Sequence, residues 1–309
     1  MKTLRESLVE FIEHEKIGNR SRAYQRALHY SVGRLLAWLE TTHSVFHPEK
    51  LTAQHMAAWG RYVTARTTGK GLPLKPTSIC KQFICDRAFI RWLGRRGIVP
   101  TALAEELPYP KLPDRLPTSV LTHRQMMKLL YSVNSTTPEG HQLRAMLELF
   151  YSSGVRVAEL LGLDIEAVDF KNRQALVRGK GEKERMVPIG ETAARFIETY
   201  LKAFRPLLVR DPQDRALWLD RQGSRMPYHT FRRQLLEVAV ASGLPVHVTA
   251  HTFRRSFTTE LIRNGANLWH VKEALGHESI ETLTPYTKLT IPDLKKTHAK
   301  CHPREKDHR

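Results

Sequence analysis

Apolar residues in the first hundred positions recur at helical spacing. Leu4, Leu8, Phe11 and Ile12 form one stripe; Tyr24, Leu28, Val32, Leu35, Leu36 and Leu39 form a second. The segment LTAQHMAAWGRYVTART opens with Thr52 in the position of an N-cap, and PTSICKQFICDRAFIRWLGRRGIV starts after Pro76 with apolar residues at Ile79, Phe83, Ile84, Ala88, Ile90 and Leu93. Four helices without a strand predict a small bundle. The stretch LPYPKLPDRLPT, residues 107–118, has four prolines in twelve positions and predicts an extended, semi-stiff linker. Beyond it, THRQMMKLLYSV and HQLRAMLELFYSSGV are helical. The pattern then shortens to EAVDF, RQALVRG and KERMVPI, which predict a small antiparallel sheet with GKGEK as its last hairpin loop. Helices follow around 191–204, 227–241, 252–264, 267–275 and 279–290. The fold class is thus mainly α with a small antiparallel β-sheet: a helical domain over 1–106, the linker 107–118, and a mixed α+β domain over 119–309.

Charge narrows the class of partner. The 309 residues include 49 Lys and Arg against 31 Asp and Glu, a formal charge of +18. Residues 1–110 hold 17 basic and 9 acidic side chains, and residues 111–309 hold 32 and 22. A positive excess spread over both domains predicts that both touch a polyanion, most simply nucleic acid. Arg87, Arg91, Arg95 and Arg96 crowd the end of the fourth helix. They suit either a solvated face near the helix C-terminus or contact with phosphates. The three cysteines, Cys80, Cys85 and Cys301, form no framework spacing and fit a reducing cytosol. The amphipathic start MKTLRESLVEFIEHEK has no unbroken apolar segment, so no signal peptide is expected, and no run is long enough to span a bilayer.

Candidate chemistry gathers in the second domain. In HTFRRSFTTELI, Phe253, Phe257 and Leu261 mark a core-facing stripe, yet His251 and Arg254 stand at its edge. A poorly hydrated guanidinium calls for an anion. For Arg254 that anion is either a neighbouring carboxylate, such as Glu159 or Glu148, or a ligand. Arg156 lies in FYSSGVRVAELLGL, where Gly154 interrupts an apolar helix and Glu159 stands at i+3 as a brace. Lys180, between Gly179 and Gly181, sits at a hairpin tip. In VKEALGHESIETLTPYTKL, Gly276 is placed to end a helix in the left-handed conformation, with His277 directly after it. Thr284 and Pro285 read as N-cap and first helical residue. That placement puts Tyr286 in a first turn, where backbone N–H groups favour an anion. Pro292 limits this helix to about seven residues.

This series of two arginines, a lysine, two histidines and a tyrosine resembles the tyrosine recombinase, or phage integrase, family. The resemblance rests on GVRVAELLGL, VRGKGEKERMVPI, HTFRRSF, LGHESIETLTPY and the linker PKLPDRLP, with HPR near the end resembling the tail of Xer-type members. The first hundred residues resemble the family's core-site DNA-binding domain in size and composition only. The resemblance implies site-specific recombination through a 3′-phosphotyrosyl intermediate. Tyr286 would be the nucleophile. Arg156 and Arg254 would clamp the nonbridging oxygens, and His251 would assist proton transfer. Lys180 would protonate the departing 5′ oxygen, His277 would hydrogen-bond the phosphate, and Glu159 would orient Arg156. It implies no cofactor and no metal. The partners it implies are duplex DNA with a short inverted-repeat core site, a homo-tetramer on two sites, and a partner recombinase or accessory protein, in a bacterial, nucleoid-associated cytoplasmic setting. Lys183 and Arg255 join the four N-terminal-domain arginines as expected DNA contacts.

Two other readings share the scaffold: a type IB topoisomerase-like enzyme, which lacks strand exchange, and a catalytically silent DNA-binding protein. The complete set of cationic and imidazole residues around Tyr286 argues against the second. Several positions depart from the common family pattern: Phe253 for Leu, Arg255 for His, Lys288 for the His that often follows the nucleophile, and Pro285 directly before it. These favour a mobile-element or phage enzyme at least as much as a chromosomal resolvase. His298, Cys301, His302 and His308 cluster in the tail, too crowded for an expected zinc site.

Overall fold

The computed structural model describes residues 2–111, 119–179, 183–276 and 279–287. The linker residues 112–118, Lys180, His277, Lys288 and the tail with its His and Cys residues lie outside the described residues. The chain divides into two compact units, Met1–Asp114 and Arg115–Arg309.

The first unit is built from α1 (Leu4–Ile17), α2 (Arg22–His43), α3 (Ala53–Ala65) and α4 (Pro76–Arg95), followed by a 3-10 turn at Thr101–Glu106. Local chemistry sets the starts. Thr3 and Glu6 form a reciprocal capping box on α1, Thr52 caps α3 as its sequence predicts, and Pro76 occupies the first turn of α4. Most predicted stripe residues enter the core, with Leu4, Phe11, Leu28, Leu35 and Leu93 nearly or fully buried and joined by Trp59 and Phe89, whereas Ile84, expected in the stripe of α4, is 45% exposed. Among its described residues the buried carboxyl is Asp86, which accepts hydrogen bonds from Trp59 Nε1 at 2.8 Å and from Gln82. Burial pushes that carboxyl up to about 7.

The second unit starts with α5 (His123–Tyr131), α6 (Pro138–Ser153) and α7 (Val157–Leu161). The sheet follows, with β1 (Val168–Asp169), β2 (Gln174–Arg178) and β3 (Glu184–Pro188) in antiparallel order β1-β2-β3. Then come α8 (Glu191–Thr199), α9 (Arg205–Leu208), α10 (Tyr228–Ala241), α11 (Ala250–Arg263), α12 (Leu268–Leu275), a 3-10 turn at Ile280–Leu283 and α13 (Thr284–Thr287). Helix α6 is the spine. Its Phe150 stacks on Phe253 of α11 at 5.2 Å, and its buried Gln142 accepts from Tyr200 Oη at 2.5 Å and from the Leu219 N–H at 2.7 Å.

Two elements differ from the sequence expectation. The helix expected over 191–204 is α-helical to Thr199, then widens into a π turn over Tyr200–Phe204. Pro206 follows directly, and its missing N–H and bulky ring break the regular hydrogen-bond ladder. Of the helix expected over 279–290, the described residues form a 3-10 turn at Ile280–Leu283 followed by α-helical Thr284–Thr287. Ser279 is its cap: its hydroxyl accepts the Glu281 N–H at 3.1 Å, and Thr284 is itself helical at φ −49°, ψ −42°. Thr284 therefore lacks the extended backbone of an N-cap and instead closes the 3-10 turn, its N–H donating to the Glu281 carbonyl, and Tyr286 follows as the third residue of α13. Among the described residues, no helix is long and apolar enough to cross a membrane.

Gly154 ends α6 in the left-handed conformation, φ +60°, and a Cβ there would fall 2.2 Å from the Phe257 ring. Gly154→Ala is expected to destabilise the fold by about 2–4 kcal/mol, from backbone strain and overpacking together. A lowered urea midpoint of the full chain checks this.

Candidate active site

Three arginines from three elements converge on the end of α12. Gly276 closes that helix in the left-handed conformation, φ +61°, as its sequence predicts. A helix C-terminus leaves carbonyls without intrahelical donors. Here Arg185 Nε, from β3, donates to the Ala274 carbonyl at 3.3 Å. Arg254 Nη2, from α11, donates to the Leu275 carbonyl at 2.6 Å. Arg156 Nη2, from the residue that caps α7, donates to the Gly276 carbonyl at 3.0 Å. The partial negative charge at a helix C-terminus favours all three cations.

One carboxylate braces the cluster. Glu159 accepts the Arg156 backbone N–H at 2.7 Å and Arg156 Nη1 at 2.8 Å. It also takes both arms of Arg185, Nη1 and Nη2, at 2.8 Å each. Burial would raise the Glu159 carboxyl, but its bonds to Arg185 and Arg156 outweigh that and hold it below the ordinary carboxylate range. The Glu159 side chain is 1% exposed and that of Arg156 is 39% exposed, so Arg156 presents its guanidinium outward from an anchored carboxylate.

Arg254 takes neither of the carboxylates considered for it. Glu148 is held by Arg144 at 2.8 Å, and Glu159 by Arg156 and Arg185. Arg254 instead donates to two carbonyls, Leu275 and, through Nη1, Gly154 at 2.7 Å. The residue is 8% exposed. Burial first, then repulsion from Arg156, pulls it down to about 10, so it stays charged at neutral pH. Three guanidiniums therefore gather around a cluster with a single carboxylate, which pairs with two of them, and leave a surplus of positive charge.

Tyr286 lies beside this cluster. Its ring packs against the small core of Phe257, Val271, Leu275 and Leu283. Burial raises its phenol; Arg255 and Arg254 oppose the rise, Arg255 through both its charge and a side-chain hydrogen bond. His251, exposed on the first turn of α11, is pushed below the ordinary imidazole value by partial burial and by Arg255 and Arg254. It is therefore neutral at pH 7, the form able to accept a proton.

Of the residues expected in the site, Arg156, Glu159, Arg254 and Tyr286 are thus brought together, with His251 on the same helix as Arg254. Arg255 is directed to Tyr286 in addition to any contact with DNA, and Lys183 is exposed at the start of β3. In the first unit the four arginines differ. Arg87 is turned inward, bonded to Glu105 and to the Leu107 carbonyl under the Tyr109 ring. Arg91 pairs with Glu105, and Arg96 lies over Trp92 and pairs with Glu10, while Arg95 is exposed. Among the described residues no group of three His, Cys, Asp or Glu side chains could hold a metal ion.

Arg185 escaped the sequence reading, although a signal for it exists. In KERMVPI, Val187 and Ile189 point inward, so the period of two puts Arg185 on the same, buried side. Its cross-strand partner is the buried Val177. A basic residue at an inward strand position is a bracing candidate on that ground alone.

Comparisons with known proteins agree with this geometry. Residues 119–291 match the model of the phage integrase family. The chain is 33% identical over 308 residues to the tyrosine recombinase XerD of Listeria innocua serovar 6a, covering 98% of this chain and all of that protein. It is 34% identical over 232 residues to the tyrosine recombinase XerC of Myxococcus xanthus, covering 74% and 77%. The fold is shared with the XerH site-specific recombinase bound to palindromic difH substrate in a post-cleavage complex. That match has a TM-score of 0.71 at 19% identity and covers 92% of this chain and 82% of that one.

Glu159→Gln removes the anion from beneath two guanidiniums and is expected to destabilise the fold by about 3 kcal/mol. The pH dependence has a defined sign. The carboxylate's contribution is complete above its unfolded value near 4.3 and is lost as pH falls through its lower folded value. Urea midpoints measured between about pH 3 and 6 should accordingly fall less steeply on acidification in the variant than in the wild type.

Proposed function

The chain belongs to the phage integrase family and is a site-specific tyrosine recombinase, and from that premise we propose the following roles for its residues. Arg156 and Arg254 bind the nonbridging oxygens of the scissile phosphate and neutralise the charge that builds as phosphorus becomes five-coordinate. The observation that carries this reading is the arginine surplus: two anchored guanidiniums, fixed to one helix end, beside the Tyr286 phenol. Tyr286 Oη attacks phosphorus, the P–O5′ bond breaks, and a 3′-phosphotyrosyl link forms. Neutral His251 accepts the phenol proton. Lys180 gives a proton to the departing 5′ oxygen, and His277 hydrogen-bonds the phosphate. The phosphotyrosine keeps the energy of the broken bond, so a 5′ hydroxyl from a second strand reverses the chemistry and rejoins the backbone.

The first unit also binds DNA. Its arginines differ in availability, and Arg95 is the better phosphate contact than Arg87, whose guanidinium has internal partners. The target is a duplex with a short inverted repeat, supported by the palindromic substrate of the XerH neighbour. Exchange proceeds in a homo-tetramer on two sites, and a partner recombinase or accessory protein is a further partner. The setting is the bacterial cytoplasm, on the nucleoid. Affinity resides mainly in phosphate contacts and weakens with salt.

The decisive experiment exposes the full chain to a library of nicked duplexes, traps covalent adducts and sequences the attached DNA. One inverted-repeat site should emerge, and Tyr286→Phe should leave no adduct; adducts persisting in that variant would remove Tyr286 from its role. Supercoil relaxation with no exchange between two such sites would instead favour the topoisomerase-like reading.

The proton-acceptor role is read from a pH profile. The rate of adduct formation should hold down to pH values below the ordinary imidazole value of about 6.5, then decline as His251 protonates. His251→Gln should slow adduct formation about 100-fold and abolish that acid limb.

A further inference from the structure

We propose that Arg185 is a positioning residue for strand cleavage. It ties β3 to the C-terminal end of α12 and fixes Glu159, through which Arg156 is aimed. This inference rests on the phosphotyrosyl reading above and adds to it a residue outside the set that touches the phosphate.

The geometry gives Arg185 three attachments. Its two terminal nitrogens grip both oxygens of Glu159 at 2.8 Å, a planar two-point contact that a lysine cannot copy. Its Nε reaches the Ala274 carbonyl on α12 at 3.3 Å. Its backbone belongs to β3, which leads back through the hairpin. The fourth feature is Gly276: a Cβ there would lie 3.0 Å from Arg185 Nε and 3.1 Å from its Cζ. The glycine thus serves two geometries at once, the left-handed turn that ends α12 and the close seat of the guanidinium.

Arg185 is unsuited to contact substrate directly. Its side chain is 17% exposed and its donors point to Glu159 and α12, whereas Arg156 is 39% exposed. What Arg185 supplies is rigidity. Without it, Glu159 keeps only Arg156 as a charged partner, Ala274 loses its donor, and β3 loses this tie to α12. Errors of about 1 Å in catalytic placement reduce rates about 100-fold.

The test compares Arg185→Met and Arg185→Lys with the wild type, as full chains, on a nicked duplex bearing the core site recovered above. Two versions of the scissile group are used, a natural phosphate and a methylphosphonate. The methylphosphonate has lost one anionic oxygen and so depends less on well-aimed guanidiniums. Arg185→Met should bind DNA with unchanged Kd and form adduct about 10- to 100-fold more slowly on phosphate, with a clearly smaller deficit on methylphosphonate. Arg185→Lys should recover only part of the rate. Equal deficits on the two substrates, or wild-type rates on both, would overturn the proposal. If Arg185→Met alone does not fold, the Glu159→Gln, Arg185→Met pair removes both buried charges together. That double variant should fold and keep the substrate-dependent deficit; an equal deficit would again count against the proposal. A wild-type protein that forms no Tyr286 adduct on either substrate would refute the phosphotyrosyl reading itself, separately from the role of Arg185.

Discussion

The last turn of α12 is the reference point of the catalytic unit. Three successive carbonyls, of Ala274, Leu275 and Gly276, are each claimed by a different guanidinium, from β3, α11 and the start of α7. Helix ends elsewhere satisfy such carbonyls with water or local turns. Using arginines instead lets one short helix register three distant parts of the chain. Arg156 and Arg254 are separated by almost a hundred residues, yet adjacent carbonyls hold them side by side.

That arrangement concentrates like charge. Arg156 and Arg185 share one carboxylate, and Arg254, which bonds only carbonyls, holds its proton less tightly because it is buried beside Arg156. Such a cluster stays folded because Glu159 is gripped from two sides and because each of the three helix-end carbonyls contributes a dipole of the right sign. The remaining positive charge has no protein anion to meet it among the contacts just described. In the proposed reaction a phosphate would supply that anion, so binding energy and catalytic alignment would arise from the same contact. The two glycines at the left-handed positions make the close approach possible. Gly154 leaves room for Phe257 and gives its carbonyl to Arg254; Gly276 leaves room for Arg185 and gives its carbonyl to Arg156.

Much of this was legible in the amino-acid sequence, and the remainder was hidden for physical reasons. Helical stripes, the Thr52 cap, the three short strands and the left-handed role of Gly276 follow from periodicity and local rules that need no tertiary context. Glu159 beside Arg156 follows from i,i+3 spacing. By contrast, whether Arg254 meets Glu148, Glu159 or a carbonyl depends on how helices pack, which spacing cannot encode. Arg87 illustrates the same limit: its place in a basic run resembles that of Arg95, but only tertiary packing turns it under Tyr109 toward Glu105. Arg185 could have been found, since strand alternation puts it inward, but the neighbouring GKGEK loop drew attention to the hairpin's tip instead of its stem. The Thr284–Pro285 pair misled because Ser279 offers a competing cap five residues earlier, and the chain winds from there.

The surroundings of Tyr286 complete the logic. Its ring packs against the cluster of Phe257, Val271, Leu275 and Leu283, and Arg255 bonds its hydroxyl. Burial keeps the phenol protonated, while Arg255 and Arg254 draw it back toward ionisation without reversing that preference. In that condition the hydroxyl is a poor nucleophile, and the neutral His251 has the capacity to take its proton. Arg156 and Arg254, the arginines proposed to stabilise the transition state, are both fixed to the end of α12. In the proposed reaction such fixed guanidiniums would need no rearrangement as charge develops on the phosphate, while the phenol would stay protonated until its proton is taken.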